Sequence, residues 1–208
     1  MEQQVIYRPF QHRDAKDLAQ IILDTWAFDA GVCTPAQAAH IGHAYLYFCM
    51  LQADFTQVAE IDGHAVGIVM GRTLGKRLRP RIALNCLYHG GALWLSGTYQ
   101  RIGALFHGYE ENSDLLDKLS GVTEGKFGAE VALFIVSKQA RGRGVGSALF
   151  ERLNNFFRER GIRHYYLHTD TACSYAFYER KGLKRLAEVQ TGICYGGVDN
   201  IKMFVYGT

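Results

Sequence analysis

An α/β fold is predicted, and three observations predict it. Two extended segments, 55–61 and 65–72, flank Asp62-Gly63, a pair that strongly favours a tight hairpin turn. Residues 131–136 form a nearly continuous apolar run of strand length, consistent with a strand buried on both faces. Directly after it, Arg141-Gly142-Arg143-Gly144-Val145-Gly146 opens a segment whose apolar residues recur at helical spacing. The chain has 208 residues, 48% hydrophobic and 21% charged, which suits one domain with a sizeable core and excludes wholesale disorder.

Taken in order, residues 5–8 read as a short opening strand. Asp14 followed by Asp17 starts a helix well, with a cap and a second acid in the first turn. Leu18, Ile21, Ile22 and Trp26 give that helix one buried face. Thr34-Pro35 signals the next helix, because proline is tolerated at the first helical position. Ile41, Ala44, Tyr45, Phe48 and Leu51 carry it to about Asp54. In the hairpin, Gly67 and Gly71 mark a bulge or a close backbone approach. Residues 73–128 open with a basic run (Lys76, Arg77, Arg79, Arg81) and pass through glycine-rich and aromatic stretches without strong periodicity. A structureless loop of this length is improbable in a compact domain, so the segment is expected to be a partly helical insertion, with helical pieces near 99–108 and 114–119. After the glycine turn, Val145, Leu149, Leu153 and Phe156 line one helical face that ends near Gly161. Residues 163–169 then form a strand, 173–181 a helix, and 183–190 and 201–206 two final strands.

Several classes are disfavoured. A net charge of +3 is too small for a dedicated nucleic-acid binder. No apolar stretch approaches the ~18 residues of a membrane span, and the first residues lack a basic region followed by an apolar one. Five widely spaced cysteines, without a CxxC pair, argue against a disulfide framework or structural zinc. The expectation is a soluble, reduced, cytoplasmic protein with no metal and no membrane partner. His40 with His43, and His164 with His168, share helix and strand faces, but neither pair brings Cys or acidic ligands, so surface or packed roles are expected.

The glycine turn carries the chemistry. Glycine lets the main chain turn tightly and approach a ligand, and the free N–H groups of the following helical turn bind phosphate oxygens. Arg141 and Arg143 add positive charge at the rim. A diphosphate is the expected guest. The spacing fits neither common nucleotide fold. GxxxxGK[ST] fails at 121–127, where three residues separate Gly121 from Gly125-Lys126 and Phe127 follows. GxGxxG fails because Gly142-x-Gly144 runs on to Ser147, and Gly144-x-Gly146 to Leu149.

The chain here resembles the GNAT superfamily of N-acetyltransferases, whose coenzyme A signature [Q/R]-x-x-G-x-[G/A] follows a buried strand. Arg141, Gly144 and Gly146 match it. Glu-Val-Ala-Leu-Phe-Ile-Val-Ser precedes it, and Ala-Phe-Tyr-Glu-Arg-Lys-Gly-Leu at 176–183 is similar to the family's second motif. The motif-bearing resemblance spans 130–189, and the earlier helix and hairpin order also fits. It implies a mixed, mostly antiparallel sheet flanked by helices, interrupted by the 73–128 insertion between the third and fourth strands.

The resemblance also implies a site. Acetyl-CoA, as acyl-donor cosubstrate, would lay its pantetheine arm along Phe134, Ile135 and Val136. Its phosphates would meet Arg141, Gly142, Arg143, Gly144, Val145, Gly146 and Ser147. A bonded strand N–H would polarise the thioester carbonyl, and an amine would attack directly without a covalent enzyme intermediate. Glu130 is the candidate base, with its pKa raised by apolar neighbours; a solvated strand-end carboxylate is the plainer alternative. Tyr178 is the candidate acid toward the departing sulfur, or else an aromatic core anchor. Many relatives place an asparagine that contacts CoA seven positions before that tyrosine; here Thr171 stands there and would donate a hydrogen bond to CoA in its place. Cys173 and Ser174 have no evident base partner and read as helix-start residues rather than nucleophiles. Tyr45, Tyr47, Trp94 and Tyr99 are candidates for aromatic walls of an acceptor pocket. The basic run at 76–81 is a solvated loop, or else a contact for nucleic acid or for the 3′-phosphate of CoA. The expected activity is N-acetylation of a primary amine, on a small molecule. The alternatives are acetylation of a protein N-terminus or lysine, and a non-catalytic acyl-CoA sensor. The insertion is expected either to select the acceptor or to form a homodimer contact.

Overall fold

The computed structural model describes residues 4–26, 33–75, 80–194 and 200–208. Its elements run β1 (Ile6–Arg8), α1 (Ala15–Trp26), α2 (Pro35–Gln52), β2 (Phe55–Ile61), β3 (His64–Thr73), α3 (Pro80–Leu95) and α4 (Thr98–Ser120). They continue with β4 (Ala129–Val136), α5 (Val145–Glu159), β5 (Tyr165–Asp170), α6 (Ala176–Arg180), β6 (Lys184–Gln190) and β7 (Lys202–Gly207). Seven strands form one sheet in the order β1-β2-β3-β4-β5-β7-β6. Every pair is antiparallel except β4 with β5.

Local chemistry sets the early elements. Asp14 receives the Gln11 N–H at 2.8 Å and both Arg8 guanidinium nitrogens at 2.7 Å, so the entry to α1 is fixed to β1. Arg8 also pairs with Glu60 on β2. Thr34 and Gln37 form a reciprocal capping box at the start of α2, with Pro35 at its first position. The hairpin turn has φ of +52° at Asp62 and +84° at Gly63, the doubly left-handed turn that matches strand twist.

Gly71 serves both purposes foreseen for it. The β3–β4 register slips between Met70 and Gly71, leaving Ala132 as the extra residue of a bulge. A Cβ on Gly71 would stand 2.5 Å from Leu153 Cδ1, so α5 lies directly on the β3 backbone. The bulge turns β4 over. Val131 packs with α5 in one core, whereas Leu133 and Ile135 join the core under α1 and α2.

Three expectations need correction. β4 faces a core on both sides but is not continuously buried: Val131, Leu133 and Ile135 are buried, whereas Ala132, Phe134 and Val136 are only partly so, because a cleft runs beside them. Residues 73–128 are far more helical than the two predicted pieces, since α3 and α4 occupy most of the segment. Periodicity missed α3 because Leu84, Leu87, Tyr88, Trp94 and Leu95 are exposed on it, so no polar face contrasts with an apolar one. The helix expected over 173–181 shrinks to α6, since Asp170 Oδ1 accepts from the Ala172 and Cys173 N–H groups and holds the chain in turns first. No described helix is long and apolar enough to cross a membrane.

Candidate active site

The sheet opens at its middle. β4 and β5 pair only at Ala129–Tyr165 and Glu130–Tyr166, then diverge. Beyond Glu130, the β5-facing edge of β4 has no strand partner there. A peptide-like arm could add to that edge as another strand. A cleft of about 1480 Å³ passes through this fork and is lined from both sheet faces. On one side stand the glycine turn, the start of α5, Phe177 and Tyr178; on the other stand Trp26, Tyr45 and Tyr109.

The glycine turn ends a short 3-10 segment, Lys138–Ala140. Gly142 and Gly144 both have φ of +76°, which a side chain would strain, and Gly144 is the N-cap of α5. α5 begins at Val145, so its geometry leaves the amides of Val145, Gly146 and Ser147 without acceptors inside the helix. Arg141 Nε donates to the Val136 carbonyl at 3.4 Å, tying the turn to the end of β4.

Most of the residues singled out from the sequence meet here. Glu130, Phe134, Ile135, Val136, Arg141, Gly142, Gly144, Val145, Gly146, Ser147 and Tyr178 all line the cleft; Arg143 and Thr171 do not. Thr171 is engaged in the β5–β7 junction, where its hydroxyl accepts from the Lys202 N–H at 3.2 Å. Tyr45 and Tyr99 line the cleft as well. Tyr47 faces a separate pocket among His12, His43 and His89, and Trp94 is 64% exposed. The run at 76–79 lies outside the described residues, as does the Arg81 side chain.

Glu130 does not sit among apolar neighbours. Its carboxylate pairs with Arg72, receives the Tyr166 hydroxyl at 3.3 Å, and lies 4.0 Å from His168 Nδ1. The other ring nitrogen of His168 stands 2.9 Å from Asp117 Oδ1 on α4. Sequence reasoning placed His168 beside His164 and overlooked this setting. Strand alternation puts His168 on the face of Tyr166, but the α4 partner is distant in sequence. Tyr178 is 8% exposed, and burial raises its pKa, so it keeps its proton across ordinary pH. Burial likewise raises Cys49 to about 12 and Cys173 still further, leaving no thiolate nucleophile among these two.

The family model described as the acetyltransferase (GNAT) family matches residues 18–183. The chain belongs to the GNAT acetyltransferase family. The fold is shared with solved structures. One is a Desulfovibrio desulfuricans protein assigned to the GNAT acetyltransferases, at 14% identity and TM-score 0.56, covering 99% of this chain and 98% of that one. Another is a ribosomal-protein-alanine N-acetyltransferase from Brucella melitensis, at 16% identity and TM-score 0.55, covering 98% of each chain. A third, an N-acetyltransferase from Staphylococcus aureus, is similar at 15% identity and TM-score 0.52, covering 99% and 98%. No curated protein matches the chain. Within this GNAT chain, α3 and α4 lie between β3 and β4 in sequence, and α4 brings Asp117 to the fork.

Proposed function

We propose that this GNAT chain, acting as one domain with 73–128 inserted, transfers acetyl from acetyl-CoA to the primary amine of a small molecule. The observation that carries the reading is a single cleft joining the glycine turn at the α5 N-terminus to Glu130 across the open edge of β4. The residues fit the cosubstrate. Two left-handed glycines present the amides of Val145, Gly146 and Ser147 to a diphosphate, with Arg141 beside them. The free edge at Phe134, Ile135 and Val136 suits a pantetheine arm. When bound, acetyl-CoA supplies the thioester: a bond forms from the amine nitrogen to the acetyl carbon, and the carbon–sulfur bond breaks to release CoA thiolate.

The protein residues handle charge and protons. A β4 N–H pointing to the open edge stabilises negative charge developing on the carbonyl oxygen. Glu130 takes the ammonium proton, directly or through water, and His168 is the next titratable group along the cleft. Tyr178, on the α5 side, holds its proton at neutral pH and donates it or a hydrogen bond to the leaving sulfur. The reading is tested by acceptor-dependent CoA release with acetyl-CoA, comparing small amines with peptides bearing free N-termini or lysines. Turnover of small amines supports it. Turnover of peptides alone moves the assignment to protein acetylation, and tight acetyl-CoA binding without any turnover moves it to a sensor.

A further inference from the structure

We propose that the acceptor is an aromatic or apolar primary amine carrying no anionic group, an inference that rests on the transfer reading above. The cleft wall on the α2 and α4 side is aromatic: Trp26, Tyr45, Phe48, Tyr99, Phe106 and Tyr109 line it. Trp26 and Tyr45 touch, with ring centroids 5.4 Å apart. Phe48 and Tyr99 line the cleft yet remain 54% and 56% exposed, so the wall holds aromatic surface that the fold itself leaves wet. An apolar acceptor body would remove that surface from water.

Charge selects in the same direction. Among the described residues lining the cleft, the permanent cations are Arg72, Arg141 and Arg180, and the imidazoles are His107 and His168. Arg72 is held by Glu130 and Gln52, His107 faces Glu111 at 3.3 Å, and His168 faces Asp117 at 2.9 Å. Arg141 stands at the glycine turn, and Arg180 ends α6 beside Tyr178. A carboxylate or phosphate on the acceptor would therefore find no uncommitted described cation on the aromatic side. An ammonium finds Glu110 and Asp114 at the α4 rim, a negative field that draws cations inward, and then Glu130, whose charge is shared with Arg72. A zwitterionic amino acid or a phosphorylated amine is disfavoured by the same groups, through an unpaired buried charge.

The test uses the full chain, acetyl-CoA and thiol release, with 2-phenylethylamine and hexylamine against glutamate, phosphoethanolamine and a short peptide with a free N-terminus. The proposal expects kcat/KM for 2-phenylethylamine to exceed that for glutamate by about 10- to 100-fold. It expects Phe48→Ala to raise KM for 2-phenylethylamine several-fold while kcat holds, and Glu110→Gln to raise it less. Glutamate, phosphoethanolamine or the peptide turning over as well as 2-phenylethylamine would overturn it. Thermal unfolding with acetyl-CoA, run in parallel, separates the failures. A stabilised protein that ignores both apolar amines overturns the acceptor class alone. A protein that acetyl-CoA does not stabilise and that turns over no amine overturns the transfer reading, and the acceptor class with it.

Discussion

Nε2 of His168 stands 2.9 Å from Oδ1 of Asp117 on α4, a close approach between that helix and the fork of the sheet that is not aligned as a hydrogen bond. The contact is partly buried, with His168 14% and Asp117 26% exposed, and it brings α4 within one side chain of Glu130. Asp117 does not line the cleft, so its effect on turnover runs through His168. Asp117→Asn is expected to lower kcat about tenfold, and His168→Gln about 10- to 100-fold, with KM for acetyl-CoA unchanged. Steady-state kinetics with any accepted amine check this. Equal falls in thermal stability and activity would reduce the contact to a structural one.

Tyr178 is packed among Phe134, Phe150, Phe177 and Tyr206. Tyr178→Phe keeps the ring in that packing and removes the hydroxyl with its proton. The expected result is a kcat lowered by about 10- to 100-fold, with the unfolding midpoint nearly unchanged. An unaltered kcat would make the ring an anchor and no more.

Gly144 has open space around a Cβ, yet its φ of +76° is the left-handed conformation that a β-branched side chain resists. Gly144→Val should therefore cost about 1–2 kcal/mol of stability through backbone strain. It should also weaken acetyl-CoA affinity by tenfold or more, as the amides beside it shift. Calorimetric titration measures the affinity, and an unchanged Kd would make the turn an ordinary one.

Much of this was legible beforehand, for identifiable reasons. The hairpin around Asp62-Gly63, the capped start at Thr34-Pro35 and the strand–turn–helix at 131–146 each rest on contacts between near neighbours in sequence. The cleft residues around Arg141 to Ser147 follow from the same local signal. What escaped is what depends on the fold. α3 hides from periodicity because its apolar residues are exposed, and Thr171 is drawn into a strand junction with Lys202. The Arg72–Glu130 pair joins residues 58 apart in sequence, so the spacing gave no sign that the candidate base would face a guanidinium.

His89 introduces an acid sensitivity away from the cleft. Its Nδ1 lies 2.9 Å from that of His40, and its ring stacks on His43 at 4.8 Å. Burial first, then the two neighbouring imidazoles, depress its pKa to about 4. The unfolded chain therefore binds a proton that the folded one refuses between about pH 6.5 and 4, and stability falls as pH drops through that window. Partial exposure limits the loss to on the order of 1 kcal/mol. His89→Phe should flatten the fall in unfolding midpoint from pH 7 to pH 4.5; an equal fall in both proteins would contradict the assignment.

Arg8 links β1 to two acids, Asp14 and Glu60. Asp14 is 2% exposed, and although burial opposes ionisation, bonds from Arg8 and the Gln11 amide hold its pKa below the usual carboxylate value. Arg8→Met should cost about 3–5 kcal/mol at neutral pH by leaving the buried Asp14 without its guanidinium partner, while Glu60 keeps Arg13 at 3.0 Å. The deficit should narrow as pH falls below the ordinary Asp range, where the wild-type pair is lost too. Urea unfolding at pH 7 and pH 3.5 reads both effects.

The central claim is that the glycine turn and the open β4 edge hold acetyl-CoA, and thermal unfolding with saturating acetyl-CoA tests it most directly, with NAD and ATP as controls. Ligand at about 100 times Kd stabilises the folded chain by roughly 2.7 kcal/mol. For a protein of this size the midpoint should rise by about 5–10 °C with acetyl-CoA, and not with NAD or ATP. No rise with acetyl-CoA, or an equal rise with all three, would contradict the account.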